Sequence, residues 1–368
     1  MNPLWSFRRR GSWPLAGSTP LAFALQGGGA HGAFTWGVLD ALLEDGCVDP
    51  VAFSGASAGA LNAAVTAQGL VEGGRRDGRD RARERLARFW EAVGTRLPFE
   101  WLTLGSGSRT TLVPAARWWL QWAQFVSPYH ANPLDLDPLR DILAAQIDFE
   151  RLRRARTPQL FIAATAARSG RLRLFRNAEL DLAPLLASAC LPMLQKAVVI
   201  DGEAYWDGGF SANPAVFPLV REAPARDLLL VLLAPRDFGE TPTAADEIRR
   251  RATEIGFSAA FLREMQTLAD ASAAARARRL RLGGDARLAA ARWHAIDGET
   301  VLDRLAPESR LIAHRPFLLH LRDAGRARAL DWLARHGSAL GRRSTVDLET
   351  LFGSRAGAAE ASAAPHAA

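Results

Sequence analysis

The chain has 368 residues, 48% hydrophobic and 23% charged, which excludes a disordered or fibrous protein and allows one large α/β domain or two smaller ones. Lysine plus arginine number 46 against 39 acidic residues; the net charge of +7 suits an anionic partner such as lipid headgroups or nucleic acid, and equally a solvated surface. The two cysteines, Cys47 and Cys190, both sit in apolar settings, which excludes a disulfide framework and a zinc pattern.

Residues 1–19 are basic and rich in Pro, Gly and Ser, with Arg8-Arg9-Arg10, and read as a disordered arm. The apolar stretch that follows, Leu21 to Leu25, is too short for a signal core. No run approaches the ~18 apolar residues that span a bilayer. The expectation is a cytoplasmic protein, soluble or peripheral on the inner membrane.

Leu21 to Gln26 reads as a buried strand, and Gly27-Gly28-Gly29-Ala30-His31-Gly32 follows it directly. Ala33 to Glu44 is helical, stopped by Asp45-Gly46. The glycine loop is therefore a strand-to-helix turn, whose free N–H groups make an anion cradle. It is not a phosphate-binding P-loop, because no Lys-Ser/Thr pair follows the last glycine, and it lacks the dinucleotide context. Val51 to Ser54 is a second strand, and Ala58 to Gln68 the helix after it. Between them lies Gly55-Ala56-Ser57-Ala58-Gly59, a Gly-x-Ser-x-Gly pentad. A strand, loop, helix, strand, elbow, helix order predicts a parallel sheet covered by helices, with both loops at the strands' C-terminal ends.

Gly73 to Arg88 reads as an exposed loop and a surface helix closed by Phe89-Trp90. Residues 98–133 are rich in tryptophan, and Trp118, Trp122 and Phe125 share one helical face. That face either caps the core or forms a lid whose aromatic side chains meet lipid acyl chains. Pro138 to Ile147 is helical, Gln159 to Ala166 a third buried strand, and Leu180 to Ala189 a short helix. Val198-Val199-Ile200 and Ala204-Tyr205-Trp206 flank an Asp201-Gly202-Glu203 hairpin turn, and Asp207-Gly208-Gly209-Phe210 and Asn213-Pro214 come next. Leu228 to Leu233 is a further buried strand. Beyond residue 235 the pattern is mainly helical to residue 352, with one short strand candidate from Trp293 to Ile296, and residues 353–368 read as a disordered tail.

Acyl transfer requires a nucleophile, a base and donors for the developing oxyanion. Ser57 at a strand-to-helix elbow, with Gly55 and Gly59 relieving the crowded backbone, is mounted as a nucleophile. The Ala58 N–H points at whatever Ser57 attacks. Seven histidines are present, and none follows a core strand as Asp207 does. Asp207 is the better placed base, since Gly208 and Gly209 allow close backbone approach and burial raises carboxylate basicity. Asp201 is a turn former.

Taken in order, Gly27-Gly28-Gly29-Ala30-His31-Gly32, Gly55-Ala56-Ser57-Ala58-Gly59 and Asp207-Gly208-Gly209 resemble the patatin-like phospholipase family over about Leu21 to Leu233. The stretch from Ala187-Ser188 to Pro192 and the Asn213-Pro214 pair look like its flanking pattern. The resemblance implies a three-layer α/β/α fold around a mostly parallel sheet. It also implies a Ser57–Asp207 dyad without histidine, Gly28 and Gly29 as oxyanion donors, and hydrolysis of phospholipid or other lipid acyl esters without metal or cofactor. On this basis residues 20–235 are expected to form the catalytic domain and 236–352 a helical region packed on it.

Two departures from the family pattern stand out. His31 occupies a loop position where Arg or Lys is usual, and reads as a neutral hydrogen-bonding substitute. Leu194-Gln195 replaces a common aromatic-proline pair, which implies a remodelled acyl pocket wall. Two other readings remain. One is an α/β-hydrolase triad using a late histidine such as His294 or His320. The other is a catalytically idle domain that binds a membrane or a partner. Peripheral contact with an anionic membrane is expected; nucleic-acid binding rests on charge alone and is not. Oligomeric state is open.

Overall fold

The computed structural model describes residues 18–96, 102–123, 126–132, 137–278 and 283–353. The basic arm and the C-terminal tail fall outside them, except at residues 18–19 and 353, and so does Phe125; nothing is described of the Trp122 side chain.

The chain opens with β1 (Thr19–Leu25), α1 (Gly32–Asp45), β2 (Val48–Gly55) and α2 (Ala58–Arg96). A small antiparallel pair, β3 (Thr103–Leu104) and β4 (Thr111–Leu112), leads to α3 (Pro114–Ala123), α4 (Pro128–Ala131), α5 (Pro138–Gln146) and α6 (Phe149–Arg154). Then come β5 (Gln159–Ala166), β6 (Leu172–Arg176), α7 (Leu182–Ser188), β7 (Val198–Ile200), β8 (Glu203–Asp207), α8 (Phe217–Glu222) and β9 (Asp227–Leu232). The last part holds α9 (Ala245–Ala277), α10 (Gly283–Ala290), β10 (Arg292–Asp297), α11 (Glu299–Leu302), α12 (Arg315–His336) and α13 (Leu348–Phe352).

Strands run β10-β9-β1-β2-β5-β8-β7 across the main sheet, and β6 also pairs with β5. β10, β9, β1, β2 and β5 are mutually parallel where they pair; β6, β7 and β8 are antiparallel to their neighbours. Side chains alternate across β1, so Leu21, Phe23 and Leu25 join one core cluster and Ala22 and Ala24 the other. α1, α2, α7 and α12 cover the first face, and α8, α9 and α13 the second. Helices on both faces of a mostly parallel sheet make a three-layer α/β/α fold, and explain the unbroken apolar runs of β1, β5 and β9.

One local expectation needs correction. The loop expected within Gly73 to Arg88 narrows to an exposed kink at Gly74 (φ 59°, ψ −150°), and the helix expected with it runs on to Arg96. Ala82, Leu86, Phe89 and Trp90 bury the second half, a tertiary gain that the charged sequence conceals. Of the two readings of the aromatic face of α3, core cap or lid, the first does not hold at Trp118, which is 61% exposed.

The C-terminal region donates β10 to the sheet, and with it a buried polar cluster. His294 Nε2 lies 3.0 Å from Asp227 Oδ1, and its Nδ1 3.0 Å from Thr345 Oγ1. Arg292 donates twice to Asp227 Oδ2, at 2.9 and 2.7 Å, and the Gly341 N–H donates to Oδ1 at 2.9 Å. Burial alone would raise the Asp227 pKa, but these donors and the Arg292 charge hold it at about 2. Its stabilising effect is complete above an unfolded-state pKa of about 4 and is lost as pH falls from there towards 2. Asp227→Asn is expected to cost about 2–3 kcal/mol at neutral pH, read from urea denaturation, and to make the remaining stability less acid-sensitive.

Candidate active site

β5 is the strand that assembles the site. Its Phe161 to Thr165 pair with β6 on one edge. On the other edge, Gln159 to Ile162 pair with β2, and Ala164 to Ala166 with β8. β2 and β8 therefore run towards each other along one edge of β5. Gly55 ends opposite Ile162 and Asp207 opposite Ala164, two residues further on, or roughly 7 Å. Ser57 follows the first strand end, and Asp207 closes the second.

Ser57 has φ 52°, a left-handed conformation for a non-glycine residue and the strained geometry of a nucleophile elbow. Its N–H is held by Ser188, at 3.1 Å from both the carbonyl oxygen and Oγ. The flanking glycines are steric necessities. A Cβ on Gly55 would lie 2.5 Å from the Gly59 carbonyl carbon, and one on Gly59 would lie 2.1 Å from the Leu25 oxygen.

Asp207 is 1% exposed. Its Oδ1 accepts the Gly209 N–H at 2.7 Å, and its Oδ2 is buried without a full hydrogen bond to protein. The Ser57 hydroxyl faces this carboxyl, short of strict hydrogen-bond geometry. Burial pushes the Asp207 pKa up to about 7, against the opposing pull of the Gly209 N–H and the Ser57 hydroxyl. That value suits a general base at neutral pH. Gly208 is required because a Cβ there would lie 2.2 Å from the Ala163 oxygen. Gly209 packs under Phe257 of α9, whose ring meets Phe210 at a centroid distance of 4.3 Å.

The glycine loop closes the third side. A Cβ on Gly27 would meet the Ala56 oxygen at 2.7 Å and Ser57 Cβ at 2.8 Å, so the loop touches the elbow. The Gly27 N–H donates to Asn213 Oδ1 at 2.7 Å, fastening the loop to the segment that follows Asp207. Among the described residues, the N–H groups of Gly28, Gly29 and Ala58 donate to no protein acceptor. Gly29 has φ 59°, and a Cβ there would strike the Arg310 carbonyl oxygen at 2.2 Å. Gly32 sits against Ala58 and Trp90.

His31 is buried, with Nε2 2.8 Å from Ser309 Oγ. Burial, aided by the Arg310 charge, pushes its pKa down to about 3, so the ring is neutral. It ties the loop to residues 307–311. Neither of the two late histidines reaches Ser57. His294 is bound to Asp227 at the amino-terminal end of the sheet, the end opposite the elbow, and His320 lies on α12 beside Gly107. Trp118, exposed on α3, is not among the residues that build the three loops. Ser309, Arg310 and Phe257 border the site without any local sequence signal.

Residues 23–220, more than half of the chain, match the family described as patatin-like phospholipase. No curated protein matches. Among solved structures, VipD from Legionella pneumophila is similar at 15% identity and a TM-score of 0.36, over 87% of this chain and 67% of that one. So distant a likeness says nothing about activity.

Proposed function

Because the chain belongs to the patatin-like phospholipase family, a family of lipid hydrolases, we propose that it cleaves acyl esters of phospholipids with Ser57 as nucleophile and Asp207 as base. Ser57 Oγ attacks the ester carbonyl while its proton passes to Asp207. The N–H groups of Gly28, Gly29 and Ala58 receive the oxyanion. Asp207 returns the proton to the leaving alkoxide, and the acyl group stays on Ser57. Asp207 then takes a proton from water, hydroxide attacks the acyl-enzyme, and the fatty acid leaves as Ser57 regains its proton.

The observation that carries this reading is the meeting of β2 and β8 on one edge of β5. It sets a strained serine against a buried carboxyl whose Oδ2 lacks a full hydrogen bond to protein. The phospholipase A or lysophospholipase type of cleavage, the membrane-peripheral setting and action in the cytoplasm belong to the same proposal. No helix among the described residues is long and apolar enough to cross a membrane.

A fluorophosphonate probe tests the nucleophile directly. It is expected to label Ser57, identified by peptide mass spectrometry, and the chain is expected to release fatty acid from phospholipid with chelator present. Labelling elsewhere, or phospholipid left intact by a protein that cleaves soluble esters, would overturn the reading.

A further inference from the structure

His31 is 4% exposed, and its ring is neutral because burial, aided by the Arg310 charge, disfavours the charged form. A neutral imidazole has one proton and two nitrogens that can hold it. Nε2 lies 2.8 Å from Ser309 Oγ, while Nδ1 is buried without a hydrogen-bond partner among the described residues. Ser309 is fully buried, and its hydroxyl makes no other hydrogen bond among those residues. Two arrangements satisfy the short contact. If the ring donated from Nε2, the serine proton and the Nδ1 lone pair would both be left unpaired in the interior. If the hydroxyl donates to Nε2, the ring proton sits on Nδ1 and only that N–H is unpaired. Each buried polar group without a partner carries a desolvation penalty, so the second arrangement is the stable one.

The turn that carries Ser309 is itself held. The Ser309 N–H donates to the Ala306 oxygen at 2.9 Å, and the Ile312 N–H to the Ser309 oxygen at 3.1 Å. Glu308 Oε1 accepts the Thr111 hydroxyl at 3.0 Å and the Arg117 guanidinium at 2.7 Å, which ties the turn to β4 and α3. Nδ1 is the ring nitrogen nearer its own backbone, and the His31 Cβ stands 3.6 Å from where a Gly28 Cβ would lie. A proton on Nδ1 therefore turns the positive end of the imidazole dipole toward the glycine loop, and a lone pair there would turn the negative end.

We infer that Ser309 locks His31 as the Nδ1–H tautomer, so that the ring adds positive potential at the Gly28 and Gly29 N–H groups, where acyl transfer places an oxyanion. The inference rests on the proposed acyl transfer for the benefit that the tautomer confers, not for the tautomer itself. Ser309 and His31 act through the loop, as positioning residues, in a dry interior where a fixed dipole counts for more than in water.

Long-range proton–nitrogen NMR on full-length protein carrying isotope-labelled histidine reads which ring nitrogen holds the proton. The His31 signal is the one absent from His31→Asn. It is expected to show Nδ1 protonated and Nε2 as a bare acceptor from about pH 6 to 8. Ser309→Ala should admit the Nε2–H form, lower kcat for a soluble ester about tenfold with KM unchanged, and weaken a trifluoromethyl ketone in parallel. That loss is smaller than the roughly 10²- to 10³-fold that follows removal of a direct oxyanion donor. Should either variant disturb folding, Ser309→Cys, close in size and a weaker donor, is expected to move the same signal, which also identifies it, and to lower kcat about threefold.

The inference is overturned if His31 holds its proton on Nε2 or is charged in that range, or if Ser309→Ala leaves the tautomer unchanged. It is equally overturned if that variant lowers Tm with kcat and ketone affinity unchanged, which would make the contact structural only. A locked Nδ1–H ring in a chain that hydrolyses no ester would instead count against the proposed activity and leave the tautomer standing. Ester hydrolysis by a chain whose His31 is the Nε2–H form would do the reverse.

Discussion

Asp207→Asn is expected to lower kcat/KM for a soluble ester about 10³-fold and to raise the melting temperature above pH 7. The first effect is the loss of general-base catalysis, worth about 10² to 10⁴ in rate. The second follows from burial. The Asp207 pKa is raised to about 7 in the fold against about 4 in the unfolded chain, so the folded state keeps its proton longer. Stability then falls as pH rises from about 4 to 7, and the neutral amide removes that loss.

The same pKa sets a pH profile for the unsubstituted enzyme. The base acts ionised, so kcat/KM should drop about tenfold per unit below pH 7 and level off above it. His31 is neutral throughout that range and adds no second inflection there. A profile that is flat from pH 5.5 to 8, or substantial activity in Asp207→Asn, would exclude the carboxylate as base. Ser57→Ala is expected to be at least as inactive, and the double variant no worse than the weaker single one, because groups that act as a unit are not additive.

Asn213→Ala is expected to lower kcat about 30- to 100-fold with little change in KM. Its Oδ1 is the acceptor for the Gly27 N–H, and both residues are buried. Truncation orphans that donor and frees the glycine loop to drift from the elbow. A shift of about 1 Å in a group that meets the transition state costs on the order of 10²-fold. Asn213→Asp keeps the acceptor and should recover most of the loss. Affinity for a trifluoromethyl ketone, which forms an oxyanion on Ser57, should fall in parallel with kcat. A change confined to KM would mean that Asn213 supports substrate binding and not the oxyanion loop. Gly27→Ala acts on the same contact from the other side, because its Cβ would meet Ser57 Cβ at 2.8 Å.

Much of the fold was legible because it is local. The apolar runs of β1, β5 and β9 carry the mark of strands buried on both faces, and the bounds Gln159–Ala166 and Val198–Ile200 follow from flanking turn residues alone. What depends on burial elsewhere was not. The charged stretch after Gly74 reads in sequence as a surface helix, and only its packing on neighbouring helices, Ala82 against Gly69 and Trp90 against Gly32 and Asn62, shows that one face of it is buried.

The site divides in the same way. Sequence by itself determined the three glycine-bearing turns, since Gly55, Gly59 and Gly208 stand where the backbones approach too closely for any Cβ, and it singled out Ser57 and Asp207 by their place after strands. Only the tertiary structure decided that these turns converge. Strand direction along β5 brings the ends of β2 and β8 together across some 150 residues of chain, and no local pattern encodes which edge a strand will take. The same holds for Ser309, which anchors His31 from 278 residues away, and for Asn213, which reaches Gly27 across 186. The burial that raises the Asp207 pKa and lowers that of His31 likewise belongs to the packed interior, because desolvation is a property of the assembled surroundings and not of neighbours in the chain.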